Sequence, residues 1–181
     1  MLEWGICHFM ATGVLSFNYN MADAPLKHAF WALMLCHIRE PHFYLIHRFM
    51  HPWRNPYLPD VGKFLYRHVH SLHHKSYNTT ALSGTSMHPI ESTMYYACSF
   101  LALPFGCHPI IPVAMILDAG IGAWLGHGGF IFPGTGDMYH TIHHLVFDAN
   151  YGTPNIPLDW MFGTFAATQD DVKGIWQKVN T

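Results

Sequence analysis

Three groups of histidine stand at spacings that can gather imidazoles around an ion. The stretch Arg67-His68-Val69-His70-Ser71-Leu72-His73-His74-Lys75 contains H-x-x-H-H, and the pattern returns at His140-Thr141-Ile142-His143-His144. An H-x-x-x-H pair stands upstream at His47 and His51. On a helix, positions i, i+3 and i+4 share one face. Three imidazoles on one face repel when protonated, and each needs a hydrogen-bond partner when neutral and buried. A transition metal removes both difficulties, because neutral imidazole is a ligand for iron, zinc and copper. Eight clustered histidines exceed the four ligands of a structural zinc or the six of an octahedral iron, so a two-metal site is the economical reading.

The chain has 181 residues, the size of one domain, and 16 of them are His. It is 50% hydrophobic, 15% aromatic and 11% charged. A soluble domain averages about 25% charged residues, so this balance points to a membrane environment. The net charge of -2 suggests no nucleic-acid partner. Arg39, Arg48, Arg54, Lys63, Arg67 and Lys75 crowd the first two His groups, and no further Lys or Arg occurs before Lys173. By the positive-inside rule this segment is cytoplasmic. The four cysteines lack C-x-x-C spacing and read as reduced, buried hydrophobes. The start carries Glu3 and no basic n-region, which argues against a cleaved leader.

Residues 1–38 read as N-terminal membrane-associated helices. They comprise an apolar run from Leu2 to Phe17 and a second helix opened by Asp23-Ala24-Pro25. Pro41 is expected to kink or restart the helix. The region fits two spans or a hairpin dipping into one leaflet. Pro52 to Pro59 is a loop, and residues 61–75 are expected to form one short basic helix bearing the second His group. From Ser92 to His127 the pattern is a membrane hairpin: an apolar arm Ser92–Leu103, a turn at Pro104-Phe105-Gly106-Cys107-His108-Pro109, and a second arm Ile110–Leu125. Both arms are short, so the pair enters and leaves by one face. His127 arrives at that face as a further candidate ligand. His88, beside Pro89 and Glu91, reads either as a ligand or as a helix cap. His8, His28, His37, His42, His68 and His108 lack cluster spacing and are assigned to no site. Gly128-Gly129 and Pro133-Gly134 break the chain again, and residues 169–181 form a polar tail.

The ordered set of words resembles the fatty acid hydroxylase / sterol desaturase superfamily of integral membrane di-iron oxygenases. Those words are His47-Arg48-Phe49-Met50-His51, His70-Ser71-Leu72-His73-His74, His88-Pro89-Ile90-Glu91, His140-Thr141-Ile142-His143-His144, and Asn150-Tyr151-Gly152 with Leu158-Asp159-Trp160. The H-P-I-E segment and the lone His127 look closer to the sterol-modifying branch. The sphingolipid hydroxylases carry a second His four residues before the equivalent of His127; Ala123 stands there, and His88 is the candidate replacement. The family usually has more N-terminal membrane sequence, so the chain reads as a fragment, a truncated form or a reduced member.

The resemblance implies an all-α, integral membrane protein with short membrane hairpins and a cytoplasmic His-rich metal-binding cap, its fatty acid hydroxylase-like domain running over residues 39–168. It implies two iron ions, held by His47, His51, His70, His73, His74, His127, His140, His143 and His144, with zinc as an artefactual substitute. It implies O2-dependent hydroxylation or desaturation of a sterol or fatty-acyl membrane lipid, with electrons from cytochrome b5 or an NAD(P)H reductase, at the endoplasmic reticulum in a eukaryote. Glu91, Asp118, Asp137, Asp148 and Asp159 are candidate acceptors for the imidazole N–H groups. Two other readings remain: a catalytically degenerate metal-binding membrane protein of the same fold, and a zinc hydrolase, for which no H-E-x-x-H is present.

Overall fold

The computed structural model describes residues 8–9, 11–14, 17–128 and 137–167. Parts of the first apolar run, the break after Gly128 and the tail from residue 168 lie outside them. No strand occurs among the described residues. The helices that bear on the site are α1 (Pro25–Phe49), α2 (Val61–His68), α3 (Pro89–Tyr96), α4 (Ile110–His127), α5 (Asp137–Val146) and α6 (Leu158–Met161), joined by 3-10 turns.

Helix α1 starts with Pro25, whose missing N–H is harmless in the first turn. It then runs unbroken through Pro41, against the expected interruption. An internal proline removes one ladder bond and costs about 3 kcal/mol. Buried side chains on both sides of it hold the axis: Leu35 and Glu40 before, Tyr44 and His47 after. Glu40, Tyr44 and His47 stand at i, i+4 and i+7, so one face of the helix carries them all inward.

Only the returning arm of the hairpin is one continuous α-helix. The first arm is α3 followed by 3-10 turns at Ala97–Phe100 and Leu103–Phe105; Gly106 reverses the chain in the left-handed region (φ 63°). The returning arm α4 has 18 residues, about 27 Å of rise, and is the one helix among the described residues long and apolar enough to cross a membrane. Helix α4 lies parallel to α1 in constant register. Lys27 donates to the Gly106 carbonyl (2.9 Å), Cys36 Sγ meets Met115 Sδ (3.9 Å) and Arg39 meets Asp118 (3.3 Å), each partner 79 residues on. That register carries His47 and His127 to the same end. The apolar core between them is Leu35, Ala102, Leu103, Cys107, Ile111 and Met115. Val113, Leu117, Ile121 and Trp124 of α4, with Leu26, Phe30 and Leu33 of α1, are exposed apolar side chains.

The expected helix over 61–75 is two elements. Helix α2 ends at His68, and Val69 (φ −124°, ψ −67°) breaks the α geometry. His70–Lys75 then forms a 3-10 helix. Its tighter winding aims His70, His73 and His74 differently from an α-helix.

Candidate metal centre

Nine buried imidazoles meet at the C-terminal ends of α1 and α4, and they form two groups. His47, His51, His70, His74 and His143 make the first; His73, His127, His140 and His144 make the second. Within each group the ligand atoms lie within 4.8 Å of one another. Each H-x-x-H-H word is divided, and divided oppositely: the first gives His70 and His74 to one group and His73 to the other, whereas the second gives only His143 to the first group and both His140 and His144 to the second.

The rings are held from behind. His47 Nδ1 lies 2.6 Å from the Tyr151 carbonyl, His143 Nδ1 2.7 Å from that of Ala149, His127 Nδ1 2.7 Å from that of Ala123, and His73 Nδ1 3.3 Å from that of Ser86. A carbonyl oxygen only accepts, so these four rings carry their proton on Nδ1 and point a lone pair from Nε2. The fifth contact of this kind is from His70 Nδ1 to Glu91 Oε1 (2.6 Å). The Nε2 atoms then face one another at 2.9 to 3.4 Å. Where both rings hold their proton on Nδ1, as at His47–His70 (3.1 Å) and His73–His127 (3.2 Å), the facing lone pairs repel unless a cation lies among them. Two nitrogens bound about 2.1 Å from a metal, at angles of roughly 90 to 109°, stand about 3.0 to 3.4 Å apart, so the donor set fits a metal in each group. Burial also pushes His51, His70, His74 and His143 well below the ordinary imidazole range, which keeps them neutral and able to ligate.

Two connections fix this frame. Gly84 sits where an added Cβ would fall 2.3 Å from the Ala123 carbonyl and 2.8 Å from His127 Nδ1, so glycine alone lets the Ala81–Thr85 turn lie against that bond. On the other side, buried Asp159 accepts from the Tyr151 and Gly152 N–H groups (2.8 and 2.7 Å), the Tyr139 hydroxyl (2.8 Å) and the Thr164 hydroxyl (2.6 Å). Asn150, in the left-handed region (φ 57°), bonds the Ala166 N–H and carbonyl (2.9 Å each) and the Tyr139 carbonyl. The Asn150-Tyr151-Gly152 and Leu158-Asp159-Trp160 words are thereby the clamp that presents the Tyr151 carbonyl to His47.

His88 is not brought to either group. Its Nδ1 accepts from the Ile90 N–H (3.2 Å) and caps α3. The position suits a cap because Pro89 follows it in the first helical turn. Of the acidic candidates, only Glu91 meets a clustered ring directly, with burial pushing its carboxyl up to about 7. Asp159 acts through Tyr151, Asp118 pairs with Arg39, and Asp148 pairs with Arg54 (2.8 Å). The side chain of Asp137 lies outside the described residues. The Gly84 contact and the carbonyl partners were not signalled by the sequence, since a backbone acceptor has no residue signature.

A cavity of about 190 Å³ opens beside the second group. His73, His127 and His140 line it, whereas His47 is the one member of the first group to do so. Its walls are small on α4, at Ala119, Gly122, Ala123 and Gly126, and aromatic opposite, at Phe43, Tyr95 and Tyr96.

Comparison with known proteins agrees with this constellation. The family model described as fatty acid hydroxylase matches residues 31–164. A putative Delta(7)-sterol-C5(6)-desaturase 2 of Arabidopsis thaliana is 32% identical over 83% of this chain and 56% of its own length. A Delta(7)-sterol-C5(6)-desaturase of Nicotiana tabacum is 31% identical over 67% of this chain and 47% of its own. A sphinganine C4-monooxygenase 2 of Arabidopsis thaliana is 30% identical over 60% and 42%. The chain thus spans about half the length of the curated relatives it matches. No solved structure matches it. With the motif order, the two imidazole groups and a family match over most of its length, the chain belongs to the fatty acid hydroxylase family.

Proposed function

We propose that this protein is a membrane-bound di-iron oxidoreductase that hydroxylates or desaturates a sterol or fatty-acyl lipid using O2. His47, His51, His70, His74 and His143 would hold one iron; His73, His127, His140 and His144 would hold the other. When bound, ferrous iron supplies electrons to O2 and the oxidising power to break an unactivated C–H bond, and an external donor, cytochrome b5 or an NAD(P)H reductase, supplies the remaining electrons. The carbonyl and carboxylate partners fix the tautomer and direction of His47, His70, His73, His127 and His143. The cavity orients the lipid and keeps water from the reacting carbon, and the three lining imidazoles of the four-membered group support chemistry on that side.

Lateral entry from a bilayer is supported by the exposed apolar faces of α1 and α4 and by the length of α4. Lys63, Arg67 and Lys75 are exposed beside the imidazole end. That charge suits a cytoplasmic face, anionic headgroups and an acidic electron donor, at the endoplasmic reticulum in a eukaryotic cell. The likeness to sterol C5(6)-desaturases and a sphinganine monooxygenase supports a lipid substrate.

The observation that carries this reading is the set of nine buried imidazoles, eight of them with facing Nε2 atoms, beside a cavity. The test is protein loaded with iron under anaerobic conditions, then given donor, O2, and separate sterol and acyl-lipid mixtures. A product heavier by one oxygen or lighter by two hydrogens is expected. Two bound irons without oxygen consumption would support the catalytically degenerate reading instead.

A further inference from the structure

The wall of the cavity carries an ion pair that the oxidation chemistry does not use. Arg39 and Glu40 both line it, on α1. Arg39 Nη2 meets Glu40 Oε1 at 2.8 Å, and Arg39 Nε meets Asp118 Oδ2 at 3.3 Å across to α4. The second oxygen of Glu40 accepts from the Thr153 hydroxyl. Glu40 is buried and Arg39 is three-quarters buried, with its side chain 25% exposed. A buried pair of this kind is weak evidence for stability, because desolvation offsets the attraction. Its placement on the cavity wall, apart from the imidazoles and among small and aromatic side chains, calls for a reason.

The donors that remain open supply one. Arg39 has five N–H donors in a fixed plane. Nη2 meets the Glu40 carboxylate; Nε is buried and lies 3.3 Å from Asp118 without forming a hydrogen bond to it; Nη1 has no hydrogen-bond partner among the described residues and, unlike Nε, is not enclosed. Nη1 lies 3.7 Å from where a Cβ on Gly122 would stand, against the small-residue wall of the cavity. Glu40 has both oxygens engaged, so the group the pair offers a ligand is a donor, not an acceptor. The cluster of Arg39, Glu40 and Asp118 sums to one negative charge, which disfavours a carboxylate or phosphate. An ammonium would find no free acceptor on Glu40. A neutral oxygen fits both conditions. Gly122 precedes His127 by five residues on α4, about 7.5 Å of rise, so the anchor stands within a fused-ring or short-chain span of the imidazole end.

We propose that Arg39, held in place by Glu40 and Asp118, is a specificity-determining anchor that donates a hydrogen bond from Nη1 to a hydroxyl or carbonyl oxygen of the lipid entering the cavity. This rests on the reading of that cavity as the lipid site. The anchor selects neutral oxygenated lipids over hydrocarbons, fatty carboxylates and amines, and it sets which carbon reaches the imidazoles.

Native mass spectrometry of the full chain released from detergent micelles tests this. The probes are cholestanol against cholestane, and hexadecanol against hexadecane, hexadecanoate and hexadecylamine. The alcohols are expected to bind roughly ten-fold more tightly than their hydrocarbon counterparts, the scale of one hydrogen bond to a charged group. Arg39→Met should collapse that preference. Gly122→Val, which covers Nη1 while leaving the ion pair in place, should do the same and guards against a variant that misfolds. Alcohol preference that survives both substitutions, or tighter binding of hexadecanoate or hexadecylamine, overturns the proposal. The same spectra count bound iron, so loss of the two-metal reading is seen separately from loss of the anchor.

Discussion

The Nε2 atoms of His73 and His127 face each other at 3.2 Å, while both rings give their Nδ1 protons to backbone carbonyls, of Ser86 and Ala123. Neither nitrogen can donate to the other, so the contact is repulsive without a cation. His73 comes from a 3-10 turn and His127 from the end of α4, 54 residues apart. The pairing therefore brings the His70–Lys75 turn and the end of α4 together in the second imidazole group.

The Gly84 contact makes this linkage testable by volume alone. Gly84→Ala places a methyl group into the Ala123 carbonyl and His127 Nδ1. Metal content should fall from two toward one per chain, with the first group retained. Gly126→Ala is the contrast: nothing lies within 4 Å of its Cβ, and alanine is favoured in a helix by about 1 kcal/mol. That variant should keep both metals and melt slightly higher. Metal analysis and thermal melting read both outcomes.

Glu91→Gln retains the shape of the side chain against His70 but removes its charge. A carboxylate behind a ligating imidazole raises the ring's basicity, and losing such a partner lowers metal affinity roughly 10 to 100-fold. Competition with a chelator should show that loss, confined to one of the two metals.

Asp159→Ala strands the buried N–H groups of Tyr151 and Gly152. An unsatisfied buried donor costs about 1 to 3 kcal/mol, so the pair should destabilise the chain by roughly 3 kcal/mol or more. Because Tyr151 also supplies the carbonyl to His47, metal release should accelerate in the same variant. A melt and a chelator-release rate measured together distinguish this from a remote packing defect.

The metal-free chain should lose stability as pH falls. Burial holds His51, His70, His74 and His143 well below their ordinary range in the folded state. Below about 6.5 the unfolded chain takes up protons that the folded chain refuses, so acid favours unfolding, and above about 6.5 the difference vanishes. Melting temperature in chelator should be level from about pH 8 to 7 and fall toward pH 5. Protons also compete with metal for the rings, so the loaded protein should release its ions over the same range.

Eight of the nine imidazoles were legible because clustered spacing of histidine is costly without an ion, and His127 was legible from its place at the end of the returning arm. Their allotment was not. It depends on Val69 breaking α2 so that His70–Lys75 winds as a 3-10 helix, and no residue type marks that break. The reading of α1 failed at Pro41 for a related reason: local propensity favoured a stop, whereas burial of Leu35, Glu40, Tyr44 and His47 on one helix outweighs the lost bond. His88 carried the right side chain next to the right motif, yet its ring serves the backbone of Ile90. Asn150 and Asp159 stood out as words, and only the folded clamp shows that they hold a carbonyl behind His47.

Mössbauer spectroscopy of protein loaded with 57Fe tests the division of the histidines into two ions most directly. Two quadrupole doublets of equal area are expected, one per group. His143→Ala should change one doublet and His144→Ala the other, although the two residues are adjacent in sequence. A single iron per chain, or both substitutions altering the same doublet, would contradict the account.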